Sequence, residues 1–208
     1  MPMAQAAYAF KLFNPGGDPA VSFGVGELER MWFLLSGAGL AEVVFYDGRI
    51  RCVGDFVEYF SSPENHVYGI YLEGEPGGLA WLNGHEGRSA RVHFTSLSPR
   101  VYREHAVPMG RCFTQGMLNA SRGGEYVLDV LVGVTPSDNR LALRFIRRLG
   151  FARVGEVPHA LWLAGRRQSG AAVVSYLTRE LLPGPGRRSG PEHARLSEAP
   201  EAGRTTGG

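Results

Sequence analysis

Residues 126–151 have the sequence YVLDVLVGVTPSDNRLALRFIRRLGF. The run from Tyr126 to Val134 is apolar apart from Asp129, which is typical of a central strand covered on both faces. From Ser137 to Leu149, apolar residues recur at helical spacing with arginines on the opposite side, and Gly150 supplies a left-handed stop. Ser137 is predicted to cap this helix through its hydroxyl group. The stretch therefore predicts a strand, a turn and an amphipathic helix in direct succession.

The composition is typical of one globular domain with an appended tail. The chain has 208 residues, of which 44% are hydrophobic and 20% charged, and its formal net charge is +2. So small a charge gives no electrostatic basis for binding nucleic acid. Residues 182–208 are rich in Gly, Pro, Arg and Ser and are predicted to be disordered. The folded domain is then expected to span residues 1–181.

The N-terminal sequence and the cysteines predict a cytoplasmic protein. The first residues lack the basic-then-apolar pattern of a signal peptide, and the most apolar early run, Met31 to Tyr46, is shorter than a membrane span. No contact with a membrane is therefore expected. Cys52 and Cys112 are the only cysteines, too few for a disulfide framework. Two reduced thiols are predicted, and a single bridge is the alternative.

Further strands and helices are predicted on both sides of the opening stretch. Helices are expected at Glu27 to Ser36, Val53 to Phe60 and Met109 to Ala120. Strands are expected at Tyr8 to Phe13, Ala41 to Tyr46, His66 to Leu72, Gly78 to Leu82, Ser89 to Leu97, Phe151 to Val157 and Ala171 to Thr178. A strand meander followed by alternating strands and helices predicts the α/β class, with a mixed sheet and helices on its faces.

The run from Asn139 to Gly155 carries a family resemblance. Its sequence, NRLALRFIRRLGFARVG, resembles the Asn-x-x-Ala, Leu-Gly-Phe and Val-Gly signature of the GNAT superfamily of N-acetyltransferases. The order of elements from about Val21 to Thr178 is also similar to the GNAT topology. The resemblance implies a central mixed, mostly antiparallel sheet of six to seven strands, with helices on both faces. It also implies a splay between the fourth and fifth strands.

The same resemblance implies an activity and its participants. The chain is expected to be an acyl-CoA-dependent N-acyltransferase that transfers an acetyl group from acetyl-CoA to an amine, which attacks the thioester directly. The acceptor would be a small-molecule amine or a protein amine, and the protein a monomer or homodimer. No metal site is expected, because His66 and His159 have no ligand-like spacing with the other histidines.

Seven residues are expected to contact CoA. In GNAT proteins the end of the fourth strand holds the pantetheine amide, which implies the backbone at Thr95, Ser96 and Leu97 here. The signature Asn, here Asn139, lies beside the pantetheine arm in that family. The pyrophosphate is expected at the first amides of a helix that starts at Pro108, because unpaired amides at a helix N-terminus bind anions. Those amides belong to Met109, Gly110 and Arg111.

The segment HAVPMGR at residues 105–111 matches the family's phosphate loop only in part. GNAT proteins use Arg/Gln-x-x-Gly-x-Gly/Ala at this place. Gly110 matches the last small position, whereas Pro108 replaces the first glycine and His105 replaces the Arg or Gln. Proline is acceptable at a first helical position, where its missing N–H is not needed.

His93 is the predicted general base. It lies on the strand that ends near Leu97, on the same face as Thr95, where several GNAT enzymes have a carboxylate that acts as the base. Histidine has an ordinary pKa suited to this task, and the alternative is a hydrogen-bonded, half-buried strand histidine. Four residues around the preceding hairpin either line an acceptor site or are ordinary turn residues: Trp81, Asn83, His85 and Glu86.

A second class of function competes with the enzyme. Many GNAT proteins have a general-acid tyrosine three or four residues before Leu-Gly-Phe, and Phe145 and Ile146 stand there in this chain. Together with the proline in the phosphate loop, this favours a catalytically degenerate accessory or interaction module as the alternative. The Thr-Pro-x-x-Asn segment ending at Asn139 is also similar to that of small divergent GNAT-like proteins from phage and prophage gene sets.

Overall fold

The structure is a computed structural model that describes residues 8–182. The domain boundary at residue 181 and the disordered tail at 182–208 therefore stay predictions, since all of that tail except Leu182 lies outside the described residues. Both cysteines are exposed and form no bridge with each other, and their reduced state stays a prediction. None of the helices in the described part is long and apolar enough to cross a membrane.

An eight-stranded sheet forms the centre of the fold. Its strands are β1 Tyr8–Phe13, β2 Ser22–Phe23, β3 His66–Leu72, β4 Glu75–Glu86, β5 Ser89–Ser96, β8 Val130–Pro136, β9 Ala152–Leu163 and β10 Gln168–Thr178, whereas β6 Ser121–Arg122 and β7 Glu125–Tyr126 form a separate hairpin. The strand order is β2-β1-β3-β4-β5-β8-β10-β9. Neighbouring strands are antiparallel except for the β1–β2 and β5–β8 pairs, which are parallel. The mixed, mostly antiparallel sheet is as predicted, and the strand count exceeds the expected six to seven.

Five α-helices cover the sheet, namely α1 Val25–Gly37, α2 Ala41–Val44, α3 Val53–Ser61, α4 Pro99–Asn119 and α5 Arg140–Leu149. The predicted helices at α1 and α3 are confirmed within two residues at each end. The predicted strand from Ala41 to Tyr46 is wrong, because this segment contains the one-turn helix α2. The amide of Phe45 bonds to the carbonyl of Ala41, and the ring of Phe45 is buried among core aromatics. Tertiary packing thus overrides the strand propensity of its valines.

The predicted strand from Tyr126 to Val134 is divided in the structure. Glu125–Tyr126 (β7) pairs with Ser121–Arg122 (β6) in a small separate hairpin, and β8 begins only at Val130. Asp129 lies at the break, where its amide donates to the carbonyl of Arg88 at 2.7 Å. Its carboxylate pairs with the guanidinium groups of Arg88 and Arg179. The charged residue in this apolar run therefore directly precedes the start of β8.

The core lies in two layers, one on each face of the sheet. Residues of α1, α2 and α3 pack with Trp81 and Leu79 of β4 in one layer. Residues of α4 and α5 pack with Leu82 and Leu131 in the other. Helices cover both faces, as the sequence predicts.

Asn139, rather than Ser137, caps helix α5. The side-chain Oδ1 of Asn139 accepts a hydrogen bond from the amide of Ala142 at 3.0 Å, and α5 begins at the next residue, Arg140. The predicted cap at Ser137 is therefore wrong. At the other end, Gly150 has φ of +99° and its amide bonds to the last carbonyls of the helix, as predicted. Only glycine adopts this left-handed conformation without strain.

Replacing Asn139 by alanine is expected to destabilise the fold by about 1 kcal/mol, because the amide of Ala142 loses its partner. Replacing Ser137 by alanine is the matched control and is expected to change the free energy of unfolding by less than about 0.5 kcal/mol. Urea unfolding of both variants measures the difference. An equal effect at the two positions would contradict the assignment of the cap.

Candidate active site

The two parallel strands at the centre of the sheet separate along their length. β5 pairs with β8 only where Ser89–Arg91 lie opposite Val130–Val132. Beyond that point β5 stays paired with β4 up to Ser96, and β8 stays paired with β10 up to Pro136. Each strand therefore keeps its outer neighbour while β5 and β8 separate from each other. This is the predicted splay, and it leaves one backbone edge of each strand without a strand partner.

A cavity of about 490 Å³ occupies the splay. Its lining contains Trp81 and His93 on one face of the sheet and Phe113 and Phe145 on the other, so the cavity reaches through the sheet plane. Its volume is in the range of small-molecule sites, about 300–1,000 Å³. Most of the lining is apolar.

The N-terminus of α4 lies at this cavity. Pro99, Tyr102 and Arg103 contribute to the lining, and the hydroxyl of Ser98 caps the helix by accepting from the amide of Val101 at 3.2 Å. Pro99 occupies the first turn, where its missing N–H costs nothing. Arg103 is exposed and makes none of the ion pairs found among residues 8–182. Amide dipoles and one guanidinium group thus make this end of the cavity electropositive.

The helix was predicted to start at Pro108 and starts instead at Pro99, so that prediction is wrong. Ser98-Pro99 is a regular helix-start signal, a capping serine followed by proline. Pro108 lies in the third turn of α4, where the amides of Met109, Gly110 and Arg111 belong to the helix interior. The proposed phosphate cradle at these three residues loses its structural basis, because interior amides bond within the helix.

Packing against α5 explains Gly110 and Arg111. A Cβ atom on Gly110 would lie 2.9 Å from Phe145 Cζ and 3.0 Å from two methyl carbons of Leu149, so glycine permits close approach of the two helices. The guanidinium of Arg111 donates to the carbonyl of Arg148 at 2.9 and 3.3 Å. Arg111 therefore satisfies a carbonyl at the C-terminal end of α5, where cations are favoured.

The other predicted CoA contacts lie at or beside the splay. Thr95, Ser96 and Asn139 line the cavity, whereas Leu97 is buried in the core. The hydroxyl of Ser96 is buried and has no hydrogen-bond partner among the described residues. A buried hydroxyl without a partner is unfavourable by about 1–3 kcal/mol. The end of β5 therefore has hydrogen-bonding capacity that residues 8–182 leave unused.

His93 lines the cavity in a fixed orientation. Its ring is parallel to the indole of Trp81, with centroids 4.6 Å apart and an interplanar angle of 3°. Its Nε2 lies 3.1 Å from Asn83 Oδ1, and the amide nitrogen of Asn83 donates to Tyr59 and Asn65. Because these bonds make Oδ1 the acceptor, Nε2 carries the proton and Nδ1 holds the free electron pair.

Burial and, to a smaller extent, the positive charge of the nearby Arg91 lower the pKa of His93 to about 4. The pKa of His93 in the fold thus differs from the ordinary histidine value, because the cavity wall disfavours the charged ring, and its role as the general base stays a prediction. At pH 7 His93 is neutral. It is available to accept a proton, but it is a weak base.

The stability of the protein is expected to fall as the pH drops below about 6.5. Between the pKa of His93 in the unfolded chain, about 6.5, and about 4 in the fold, the unfolded state binds more protons, so acid favours unfolding. From pH 7.5 to pH 5.0 the loss due to His93 is about 2 kcal/mol. His93→Gln should remove this pH-dependent loss of stability. Urea unfolding of the parent protein and the variant at pH 7.5 and at pH 5.0 measures it. Parallel pH profiles for the two proteins would contradict the shifted pKa.

Three of the four hairpin residues do not reach the cavity lining. Trp81 lines it, and Asn83 acts through His93. His85 instead lies against His66, with ring centroids 4.7 Å apart, and burial followed by the charge of His66 lowers its pKa. Glu86 pairs with Ser89 at the end of the hairpin. No group of three or more potential metal ligands occurs among residues 8–182.

Aromatic side chains on the α4–α5 side were missed by sequence reasoning. Phe94 of β5 stacks on Phe145 with centroids 4.9 Å apart. Phe145, which stands where many GNAT proteins have a tyrosine, therefore forms part of the cavity wall. Tyr102 lies beside Phe145, and its hydroxyl donates to the carbonyl of Leu141 at 3.2 Å. Its place beside the cavity follows from the start of α4 at Pro99.

Comparison with known proteins adds information on the fold. No family model matches the chain, and no curated protein matches it in sequence. Among solved structures, aminoglycoside acetyltransferase AAC(6')-Ib with coenzyme A and kanamycin is similar with a TM-score of 0.61 and 16% identity, over 84% of this chain and 96% of that one.

Two further structures show the same likeness. The ribosomal-protein N-acetyltransferase RimL with coenzyme A has a TM-score of 0.60 and 12% identity, over 85% of this chain and 96% of its own. A mutant of the spermidine N-acetyltransferase SpeG from Vibrio cholerae has the same TM-score of 0.60 and 12% identity, over 82% and 94%. At such identities the likeness concerns the fold. Together with the splayed strands and the Asn139 to Gly155 segment, it shows that this chain has the fold of the GNAT N-acetyltransferases.

Proposed function

We propose that this protein transfers an acetyl group from acetyl-CoA to an amine. The observation that carries the proposal is the cavity between β5 and β8, which joins the two faces of the sheet. Such an opening lets a thioester and an amine meet from opposite faces. Holding the two reactants together at a fixed geometry accounts for much of the catalysis in such a reaction.

The residues of the α4–α5 side are proposed to hold CoA. The free edge of β5 at Thr95 and Ser96 offers backbone groups to the pantetheine amide, and Asn139 lies at the opposite wall. The phosphates are proposed to bind the first amides of α4 and the guanidinium of Arg103. These groups replace the amides of Met109 to Arg111, which the sequence predicts for this role. This assignment fits the electropositive end of the cavity.

His93 is proposed to accept the proton that the amine loses. Its Nδ1 is unprotonated at pH 7, because Asn83 fixes the proton on Nε2 and burial keeps the ring neutral. A backbone amide at the free edge of β5 is proposed to stabilise the oxyanion of the tetrahedral intermediate. The thiolate of CoA then leaves without a phenol to protonate it.

Calorimetry with acetyl-CoA tests the proposal. Binding with a micromolar dissociation constant is expected, and Arg103→Ala should weaken it about tenfold by removing one charge near the phosphates. Product formation is best measured by mass spectrometry, because the exposed Cys52 and Cys112 would react with thiol reagents. Absence of heat at 1 mM acetyl-CoA would refute the proposal.

The second candidate is a non-catalytic accessory or interaction module of the phage type. It is favoured by Phe145 at the position of the expected phenol and by the weak basicity of His93. Acetyl-CoA binding without any acetylated product from a broad amine panel would support this second function.

A further inference from the structure

We propose that the acceptor is an aromatic amine whose ring lies among the apolar side chains on the α1–α3 side of the cavity, and not a polycationic amine. This inference rests on the proposed acetyl transfer and specifies its substrate class. It depends on the shape and chemistry of the α1–α3 half of the cavity. The side assigned to CoA is the other half, next to α4 and α5.

The lining on this side is aliphatic and aromatic. Leu40, Val43 and Val44 come from α2 and its preceding residue, and Tyr46, Trp81 and His93 supply three rings. The total cavity of about 490 Å³ is much larger than the roughly 150 Å³ that accepts a benzene molecule in a protein interior. There is therefore room for one ring beside the reacting groups, and aromatic neighbours favour a second ring by offset or edge contacts.

Charges on the lining exclude a polycation. No Asp or Glu belongs to the lining of this cavity within the described residues, and its cation is Arg103. A polyamine or aminoglycoside carries several positive charges, which are costly to remove from water without carboxylate partners. An uncharged aromatic amine carries no such cost.

The adjoining cleft does not supply the excess negative charge that a polycation needs. It shares four residues with the cavity, namely Val43, Tyr46, Pro136 and Asn139. It contains the carboxylates of Glu42 and Asp138, but also the guanidinium groups of Arg51 and Arg166. Asp138 pairs with Arg166 at 2.6 Å. The cleft is thus close to neutral and suits a polar substituent of the acceptor better than a polycation.

The weak basicity of His93 agrees with an aromatic amine. With a pKa of about 4, His93 is about a millionfold too weak to deprotonate an alkylammonium group such as that of lysine, whose pKa is about 10.4. An aromatic amine is already neutral at pH 7, since its nitrogen lone pair is delocalised into the ring. It needs a base only after it has attacked.

The reaction balances without any further reactant. The amine nitrogen forms a bond to the thioester carbonyl carbon, and the carbon–sulfur bond breaks to release the CoA thiolate. The proton lost by nitrogen passes to Nδ1 of His93 and then to the thiolate. The products are the N-acetylated aromatic amine and free CoA, and His93 returns to its neutral form.

The experiment compares two acceptors that share one carbon skeleton, one aromatic and one aliphatic, with a linear polyamine. Full-length protein with saturating acetyl-CoA is assayed at pH 7.5 with 4-ethylaniline, 4-ethylcyclohexylamine and spermidine, and acetylated products are measured by mass spectrometry against a control without protein. We expect kcat/KM for the aniline to exceed that for the cyclohexylamine at least tenfold, with no product from spermidine. Acetylation of spermidine or the cyclohexylamine, but not of the aniline, would overturn the inference and leave acetyl transfer intact.

A variant tests the position of the ring. Val43 is 54% exposed, so Val43→Asp introduces a carboxylate into the lining with little risk to folding, which thermal unfolding checks. It should lower kcat/KM for the aniline at least tenfold. Val21→Asp is the matched control at a position that is 63% exposed and outside the cavity, and it should leave the value unchanged. Equal values for the two variants would overturn the placement.

Two further outcomes distinguish a wrong acceptor from a failure of acetyl transfer itself. If octanoyl-CoA with a small amine reacts faster than acetyl-CoA, the apolar space holds the acyl chain and the inference is wrong. If calorimetry shows no binding of acetyl-CoA, the proposed function fails first, and this inference falls with it.

Discussion

Replacing Ala142 by tryptophan is expected to weaken CoA binding at least a thousandfold, about 4 kcal/mol. Ala142 lies in the first turn of α5, where its side chain lines the cavity opposite β5. An indole at this position fills the space between the diverging strands that the pantetheine arm is proposed to use. Calorimetry with acetyl-CoA measures the loss.

The matched control is Arg144→Trp on the same helix. Arg144 is exposed and outside the cavity lining, so tryptophan there should leave CoA affinity within about twofold. The free energy of unfolding of both variants should lie within about 1 kcal/mol of that of the parent protein, because tryptophan has only a moderately lower helix propensity than alanine or arginine. A folded Ala142→Trp variant with unchanged affinity would show that CoA, if bound, lies elsewhere.

Replacing Arg179 by methionine is expected to destabilise the protein by about 4 kcal/mol. Its guanidinium donates to the carbonyls of Leu118 and Leu128 and to the carboxylate of Asp129, and it lies 3.9 Å from the ring centroid of Tyr126. Methionine leaves both carbonyls without a donor, and hydrogen bonds to charged groups contribute about 1.5–3 kcal/mol each. Thermal unfolding should show a decrease on the order of 10 °C.

Arg153→Met provides the comparison on the surface. Arg153 pairs with Glu156 at 3.0 Å, but its side chain is 62% exposed, and exposed ion pairs contribute about 0–1 kcal/mol. The free energy of unfolding should therefore change by less than about 1 kcal/mol. Comparable losses for the two variants would mean that the burial of Arg179 contributes nothing beyond an ordinary surface pair.

Helix α5 was predictable because its signals are local. The apolar stripe, the basic face and the Gly150 stop all lie within a dozen residues of one another. The exact cap was missed, since Ser137, Asp138 and Asn139 are all good capping residues. Only the bond from the amide of Ala142 to Asn139 decides among them.

The start of α4 was missed although its signal is just as local. Ser98-Pro99 is a regular helix start, but the glycine loop of the GNAT family predicts the start at Pro108, with Gly110 in the loop. Pro108 removes one helical hydrogen bond and crowds the carbonyl of Glu104, yet α4 continues through it. The role of Gly110 depends on Phe145 and Leu149, which lie more than thirty residues away in sequence, so no local pattern reveals it.

The electrostatics of His93 also required the three-dimensional structure. The sequence places the imidazole on the correct strand and face. Its pKa depends first on burial, to which Trp81 of the neighbouring strand contributes by stacking on the ring, and then on the charge of Arg91. Residue type alone predicts an ordinary value, and burial changes it.

The short pairing between β5 and β8 has a consequence for folding. Since the central strands share only the stretch from Ser89 to Arg91 opposite Val130 to Val132, the sheet consists of two half-sheets joined along a narrow seam. Helix α4 spans this seam by packing on β5, β8 and α5. Amide hydrogen exchange should therefore show two cooperative units of different stability. A molecule bound across the seam would link them into one.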